Sequence, residues 1–466
     1  MTQTAGSVPA RTARPAPFPP RPYQFPRFER RKLSNGLQLV VAPVRKLPVA
    51  TVVAHIHAGA VCGYRGVEGL AHLTGELLLE GTQHSDGAEL VEQFERLGTS
   101  VEASADWDGT AFSLTALTER LAPAIKLLAE VLREPSFPAR ELERLKAERL
   151  ADILKLRAEP RGLADEMFTR VLYDPSSRYG WPERGNEETV ARITREEIQR
   201  FYQRRYRPSA VTLILAGNVS VDEAERLATE AFGDWSGETP DECRTIDKAA
   251  RSTRGLHIVS KPGAKQAELR IGNVGLPRTH PDYYPVVVMN AVLGGLFSSR
   301  INLNLRERHG YTYGAFSHFE WRKQAGPFVV STAVQSEVTA AAAKEAVAEI
   351  ERIRNDRVST NELTLATSYL DGVFPIRYET TDAIAGALAT LVEYGLPDDF
   401  YDTYRAHVRA VTNEDVLRAA QAHLHPDALQ LLAVAEVDAV RDALEQLDFG
   451  DATIYDTKGE VLTDGE

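Results

Sequence analysis

Two periodicities alternate along this chain, and the alternation itself recurs after about 218 residues. Asn35-Gly36 leads into the apolar run Leu37-Gln-Leu-Val-Val41, and Arg254-Gly255 leads into Leu256-His-Ile-Val-Ser260 at an offset of 219. Each reads as a glycine-led strand. Thr194 is followed three residues later by Glu197, and Thr412 by Asp415, a pattern in which a hydroxyl and a carboxylate satisfy the orphan amides of a helix start. Fourteen residues after each threonine stands a proline, Pro208 or Pro426, and then an apolar run, Val211–Ala216 or Leu429–Val434. Longer helical patterns cover 122–132, 138–157 and 340–353, and another begins after Ser359. A period this long exceeds that of solenoid repeats and implies duplication of a whole domain. The predicted fold class is therefore α+β, built from two homologous halves.

The expected division is a Pro-, Ala- and Arg-rich flexible arm over 1–27, a first half over 28–235, a polar, turn-rich linker over 236–250, a second half over 251–450 and a tail over 451–466. The arm lacks the continuous apolar core of a signal peptide.

Charge and cysteine content narrow the function classes. A net charge of -12 argues against nucleic acid or an anionic membrane as partner, since both require a basic footprint. No unbroken run of 18 or more apolar residues is present, so a membrane-spanning helix is not expected. Cys62 and Cys243, the only cysteines, are too few for a disulfide scaffold and too far apart for a cysteine metal motif. A cytoplasmic location fits them best, with the periplasm as the alternative. There is no phosphate-binding glycine loop, dinucleotide fingerprint or nucleophile-elbow serine. The pairs His55-x-His57 and His423-x-His425 have no third ligand nearby in sequence and read as surface or core histidines.

Residues 69–82 read Gly-Leu-Ala-His72-Leu-Thr-Gly75-Glu76-Leu-Leu-Leu-Glu-Gly-Thr. On their own they predict an amphipathic helix with Leu70, Leu73, Leu77 and Leu78 on the buried side. The stretch also resembles G-L-A-H-F-L-E-H-M-L-F-K-G-T of the insulinase/pitrilysin-like zinc metallopeptidases, the mitochondrial processing peptidase branch included. In that family two histidines four apart share a zinc ion, and the glutamate before the second deprotonates the metal-bound water. The resemblance puts the first histidine at His72, the base at Gly75, the second histidine at Glu76 and the distal glutamate ligand at Asp152. It implies a degenerate zinc site with no cofactor in this chain; a metal held by His72, Glu76 and Asp152 is the alternative.

Residues 294–314 contain Gly-Gly-Leu-Phe-Ser-Ser-Arg300 and, further on, Leu-Arg306-Glu-Arg-His-Gly-Tyr-Thr-Tyr313. They resemble the family signature G-G-x-F-S-S-R-L-x-x-x-L-R-E-x-x-G-L-x-Y. The resemblance implies that Arg306 and Tyr313 reach across a peptide chamber and donate hydrogen bonds to a scissile carbonyl and its oxyanion. Without it, Arg306 would cap a helix and Tyr313 would pack in a strand. The family's substrate-pairing edge strand corresponds to 98–107, with Glu102 and Ala103 at the Asn-Ala pair. Glu102 departs from that pattern, and a plain structural edge is the alternative.

Taken with the resemblance, these residues imply a non-catalytic, substrate-binding subunit whose homologous partner supplies H-x-x-E-H and zinc. Two alternatives stand beside it: a structural or binding protein of the same fold, and an autonomous atypical metallopeptidase.

Overall fold

The glycine-led apolar runs become inner strands of two six-stranded sheets in the computed structural model, which describes residues 22–463. The first sheet contains β1 (Glu29–Lys32), β2 (Gln38–Pro43), β3 (Val49–Ile56), β4 (Glu102–Ala105), β5 (Thr110–Leu117) and β6 (Val211–Gly217), ordered β1-β2-β6-β3-β5-β4. The second contains β7 (Gly255–Ser260), β8 (Gln266–Val274), β9 (Ala315–Phe319), β10 (Pro327–Gln335), β11 (Gln430–Ala435) and β12 (Ala452–Tyr455), ordered β12-β7-β11-β8-β10-β9. Five consecutive strands, from β2 to β4 and from β7 to β9, follow the same path in both sheets, including a parallel pair, β2 with β6 and β7 with β11. Leu39 faces Leu213 in one pair and Leu256 faces Leu431 in the other. β6 and β11 are buried along their whole length, which explains their unbroken apolar runs. Thr194 and Thr412 both complete the expected capping boxes.

The outermost strand breaks the repeat. β1 joins the first sheet antiparallel, whereas β12 joins the second parallel to β7. Within the stretch 451–466, expected to be a tail, Ala452–Tyr455 thus supplies a strand.

The halves also exchange helices. Helix Pro160–Leu172 of the first half packs on β8 and β11 of the second sheet, and helix Thr381–Tyr394 of the second half packs on β3 and β6 of the first. Thr51 and Thr381 share a hydrogen bond of 2.9 Å, and Tyr173 donates to the Ala325 carbonyl at 2.8 Å. Arg270, 1% exposed on β8, meets Asp165 of the exchanged helix at 2.6 Å. Each sheet is therefore covered on one face by a helix from the other half.

The described part of the arm, residues 22–27, is docked. Tyr23 donates to the Tyr378 carbonyl at 3.0 Å, and the Phe25 ring, 4% exposed, stacks on Tyr401 at 4.7 Å. The rest of the arm lies outside the described residues. The linker has little regular structure but is pinned at several points: Ser177 donates to the Ile246 carbonyl at 2.5 Å, and Asp247 accepts from the Ala325 amide at 2.9 Å. Among the described residues, Tyr283–Arg308 is the only stretch long and apolar enough to cross a membrane, with mean hydropathy 1.4. Val286, Val288, Met289, Leu293, Ile301 and Leu305 bury it in the core of the second half, as expected of a central helix in a globular domain.

Candidate functional site

The helix Leu70–Leu78 carries the first group of site residues. Leu70, Leu73, Leu77 and Leu78 are buried as the sequence predicts, and Thr74 folds its hydroxyl back onto the Leu70 carbonyl at 2.7 Å. His72 and Glu76, one turn apart, face each other with His72 Nε2 3.3 Å from Glu76 Oε1. Burial, reinforced by Arg184 and Arg149, lowers the His72 imidazole to about 4, so it is neutral at ordinary pH. Burial raises the Glu76 carboxyl. Gly75 points at the edge hairpin: a Cβ there would stand 3.3 Å from Thr110 Cγ2 and 3.8 Å from the Ala103 methyl.

Helix Ala139–Ala158 brings Arg149 and Asp152 to the same place. Arg149 is buried and donates to the Arg184 carbonyl at 2.9 Å; burial and the neighbouring Arg184 guanidinium depress its pKa. Asp152 is exposed. These residues do not fit a zinc ion. The base position has no side chain, and two guanidinium groups, Arg149 and Arg184, raise the local potential against a cation. Among the described residues the only trio of metal-ligating side chains with donor atoms within 4.8 Å of one another lies elsewhere, at His280, Asp282 and His423. The donor atoms of His72, Glu76 and Asp152 do not all lie within that distance of one another.

The second group is held on a closely packed, hydrogen-bonded segment. A Cβ on Gly294 would collide with Ser317, Arg300 forks onto Glu362 at 2.6 and 3.1 Å, and Asn302 accepts from the Ala315 amide at 3.1 Å. These residues of the signature are structural. Arg306 and Tyr313 are not: the Arg306 guanidinium lies 4.5 Å over the Phe297 ring and 3.5 Å from Glu307, and Tyr313 is 94% exposed, ahead of β9. Tyr313 does not pack in a strand, and the Arg306 side chain caps no helix. Both present hydrogen-bond donors to solvent.

The third group lies on β4, which pairs only with β5 and forms one end of its sheet. Glu102 is exposed opposite Ser113, beside a groove of about 810 Å³ that also touches Asp382 of the exchanged helix. Ala103 faces the other way, towards Gly75. The open edge offers backbone groups for addition of an extended strand.

Residues 40–176 match the family model described as insulinase (peptidase family M16), and residues 192–370 match the model described as peptidase M16 inactive domain. The chain belongs to the insulinase, or M16, peptidase family. It is 24% identical over 359 residues to an uncharacterized zinc protease, YmxG, of Bacillus subtilis, an alignment covering 76% of this chain and 86% of that one. A protein of Schizosaccharomyces pombe named as the probable beta subunit of the mitochondrial-processing peptidase is 26% identical over 278 residues, covering 58% and 59% of the two chains. The crystal structure of a peptidase M16 inactive domain from Pseudomonas fluorescens superposes with a TM-score of 0.82 at 26% identity, covering 88% of this chain and 97% of that one. A protease from Helicobacter pylori shares the fold at a TM-score of 0.82 and 19% identity, covering 88% and 100%.

Against this M16 framework, three groupings escaped the sequence reading. Cys62 and Cys243 form a disulfide across a separation of 181 residues, joining the first half to the linker. An even cysteine count was the only hint. His423 ends a helix instead of sharing a strand face with His425; its Nε2 meets Asp282 at 2.8 Å, and the His280 ring stands edge-on at 4.9 Å. Arg418 holds the other Asp282 oxygen at 2.7 Å, so the three form a satisfied polar network. His55 lies 3.9 Å from Glu393 of the exchanged helix. That is ion-pair distance, yet burial lowers His55 to about 3 and raises Glu393 to about 8, so both are neutral at ordinary pH.

Proposed function

We propose that this chain is a non-catalytic, substrate-binding subunit of a heterodimeric zinc peptidase acting on peptides or unfolded segments. The observation that carries the reading is the contrast between the two site groups. At the family's zinc position the base is absent and guanidinium groups crowd the remaining donors; at the family's substrate position Tyr313 stands exposed and Arg306 half-exposed on a segment braced by Arg300 and Asn302. A fully exposed phenol beside a half-buried guanidinium held only by Phe297 and its sequence neighbour Glu307 suits a role completed by another molecule.

In this reading a homologous partner carries H-x-x-E-H and supplies the zinc, which activates water for attack on the peptide carbonyl. The guanidinium and phenol of this chain orient the carbonyl and stabilise the charge that develops on its oxygen. The open edge of β4, around Glu102 and Ala103, aligns an extended segment by backbone pairing. A chamber between subunits selects unfolded chains, because a folded domain does not enter.

The Cys62–Cys243 disulfide favours the periplasm over the cytoplasm, since structural disulfides persist in oxidising compartments. The test is reconstitution. The purified chain alone should cleave no peptide, a co-expressed zinc-bearing M16 subunit should be weakly active alone, and the two together should be active. Full activity of the zinc-bearing subunit alone, unchanged on adding this chain, would overturn the reading.

A further inference from the structure

The first described residues lie on an aromatic surface of the second half. Phe25 sets its ring edge-on to Tyr378 at 5.6 Å, and Tyr23 sets its own edge-on to Phe374 at 5.7 Å. Going towards the N-terminus thus moves the ring contact about one turn back along helix Thr360–Arg377. Phe374 stacks on Tyr404 at 4.9 Å, and Tyr404 is one wall of a cavity of about 260 Å³. Only the Phe374 ring separates Tyr23 from that wall.

The cavity is built mainly from rings. Tyr283, Phe319, Trp321 and Tyr369 line it with Tyr404, and no carboxylate is among its lining residues. Tyr369 and Arg377, both in the lining, are exposed and make no hydrogen bond or ion pair with another described residue. Leu365, Tyr369 and Ile376, four and seven apart, extend the apolar surface as an exposed row on one face of the helix. An exposed apolar row beside such a cavity marks a contact site. A metal ion would find no carboxylate there and a guanidinium beside it.

The sequence next to Tyr23 has the matching chemistry. Residues 15–22 read Pro-Ala-Pro-Phe-Pro-Pro-Arg-Pro. Such a run favours polyproline II, a left-handed helix of about three residues per turn and about 3.1 Å per residue. Proline-rich segments of this kind dock into aromatic-lined grooves. With three residues per turn, Pro17, Pro20 and Tyr23 share one edge, the edge that Tyr23 turns to Phe374. Pro20 then lies about 9 Å beyond Tyr23, and Pro17 about 19 Å. Along the helix, Tyr369 lies about 7.5 Å from Phe374, and Leu365 about 13.5 Å. The arm is long enough to cover both.

We propose that the proline-rich arm of this chain, residues 15–21, docks along helix Thr360–Arg377, with Pro20 seated in the aromatic cavity against Tyr369 and Pro17 near Leu365. Tyr369 and Arg377 donate to carbonyl groups of the arm, which polyproline II leaves without internal partners. This contact does not depend on the peptide-binding role of Arg306 and Tyr313.

Photo-crosslinking of the purified full chain tests this, with p-benzoylphenylalanine in place of Phe18 and the product mapped by peptide mass spectrometry. The expected product is a crosslink within one chain to residues 365–377 or 283–296. Tyr369→Asp, which puts a charge in the groove, should remove most of it. Pro17→Asp combined with Pro20→Asp should do the same; it alters no residue of the cavity and keeps the test decisive should Tyr369→Asp fail to fold. A crosslink joining two chains would assign the groove to the arm of a second copy and overturn the proposal. A product at another surface, no product, or an unchanged yield in both variants would overturn it too.

Discussion

His72 Nε2 lies 3.3 Å from Glu76 Oε1 across one helical turn, at the two positions where an active M16 peptidase places its paired histidines. Burial keeps the imidazole neutral and raises the carboxyl, so proximity here does not make an ordinary ion pair. With Arg149 and Arg184 beside them, the pair forms a metal-indifferent fragment of the helix. The purified chain, exposed to zinc and then dialysed, should hold far less than one equivalent by elemental analysis, and His72→Ala should leave the value unchanged. One tightly held zinc lost on His72→Ala would refute this.

Arg306 and Tyr313 make few contacts within the protein, so their removal should affect turnover and not folding. In the reconstituted complex Tyr313→Phe and Arg306→Ala should each lower kcat by about 10²–10³, the usual effect of deleting one oxyanion donor. KM should change much less, because the lost bond strengthens in the transition state. Thermal unfolding of the isolated chain should be almost unaltered by Tyr313→Phe, given its 94% exposure. Loss of peptide affinity with turnover intact would assign the pair to binding alone.

The disulfide closes a loop that contains most of the first half. Reduction, or Cys243→Ser, removes that constraint from the unfolded chain and should lower stability by about 2–4 kcal/mol, read by denaturant unfolding with and without reductant. Equal stability in both conditions would show that Cys62 and Cys243 contribute nothing as a cross-link.

Glu393 should impose a pH dependence. Burial raises it from an ordinary 4.5 to about 8 in the folded chain, so the folded state holds its proton more tightly than the unfolded state between those values. Its stabilising contribution is full below about 4.5 and is lost as pH rises through about 8. His55, lowered to about 3, acts in the opposite sense: its contribution is full above 6.5 and lost as pH falls towards 3. Glu393→Gln should therefore gain on the native protein as pH rises from 5 to 9, read as a difference in Tm that grows with pH. A pH-independent difference would contradict the buried neutral acid.

Phe25 tests whether the docked end of the arm matters. Its ring, 4% exposed against Tyr401, should make Phe25→Ala cost about 3–5 kcal/mol if the segment is part of the core. A change near zero would return residues 22–27 to the status of a loose arm.

Much of the fold was legible because it is written in local patterns. The glycines at 36 and 255 led to β2 and β7, and the threonines at 194 and 412 marked helix starts where the capping boxes form. What escaped depends on distance along the chain. Nothing in 160–172 or 381–394 says that each helix covers the opposite sheet, because an apolar stripe does not name its partner. β12 is short and half-buried, too weak a pattern to distinguish from a tail. At the site, the motif located His72, Gly75 and Glu76 on one helix. The nearby Arg149 and Arg184, which decide the electrostatics there, come from other segments and carry no motif.

Native mass spectrometry of the complex captured on this chain from its own cells, with its metal content, decides whether a zinc-bearing partner exists. A one-to-one complex with a different M16 chain is expected, carrying one zinc that stays with that partner on dissociation. A metal-free monomer or homodimer would contradict it and leave a binding or structural protein of the peptidase fold.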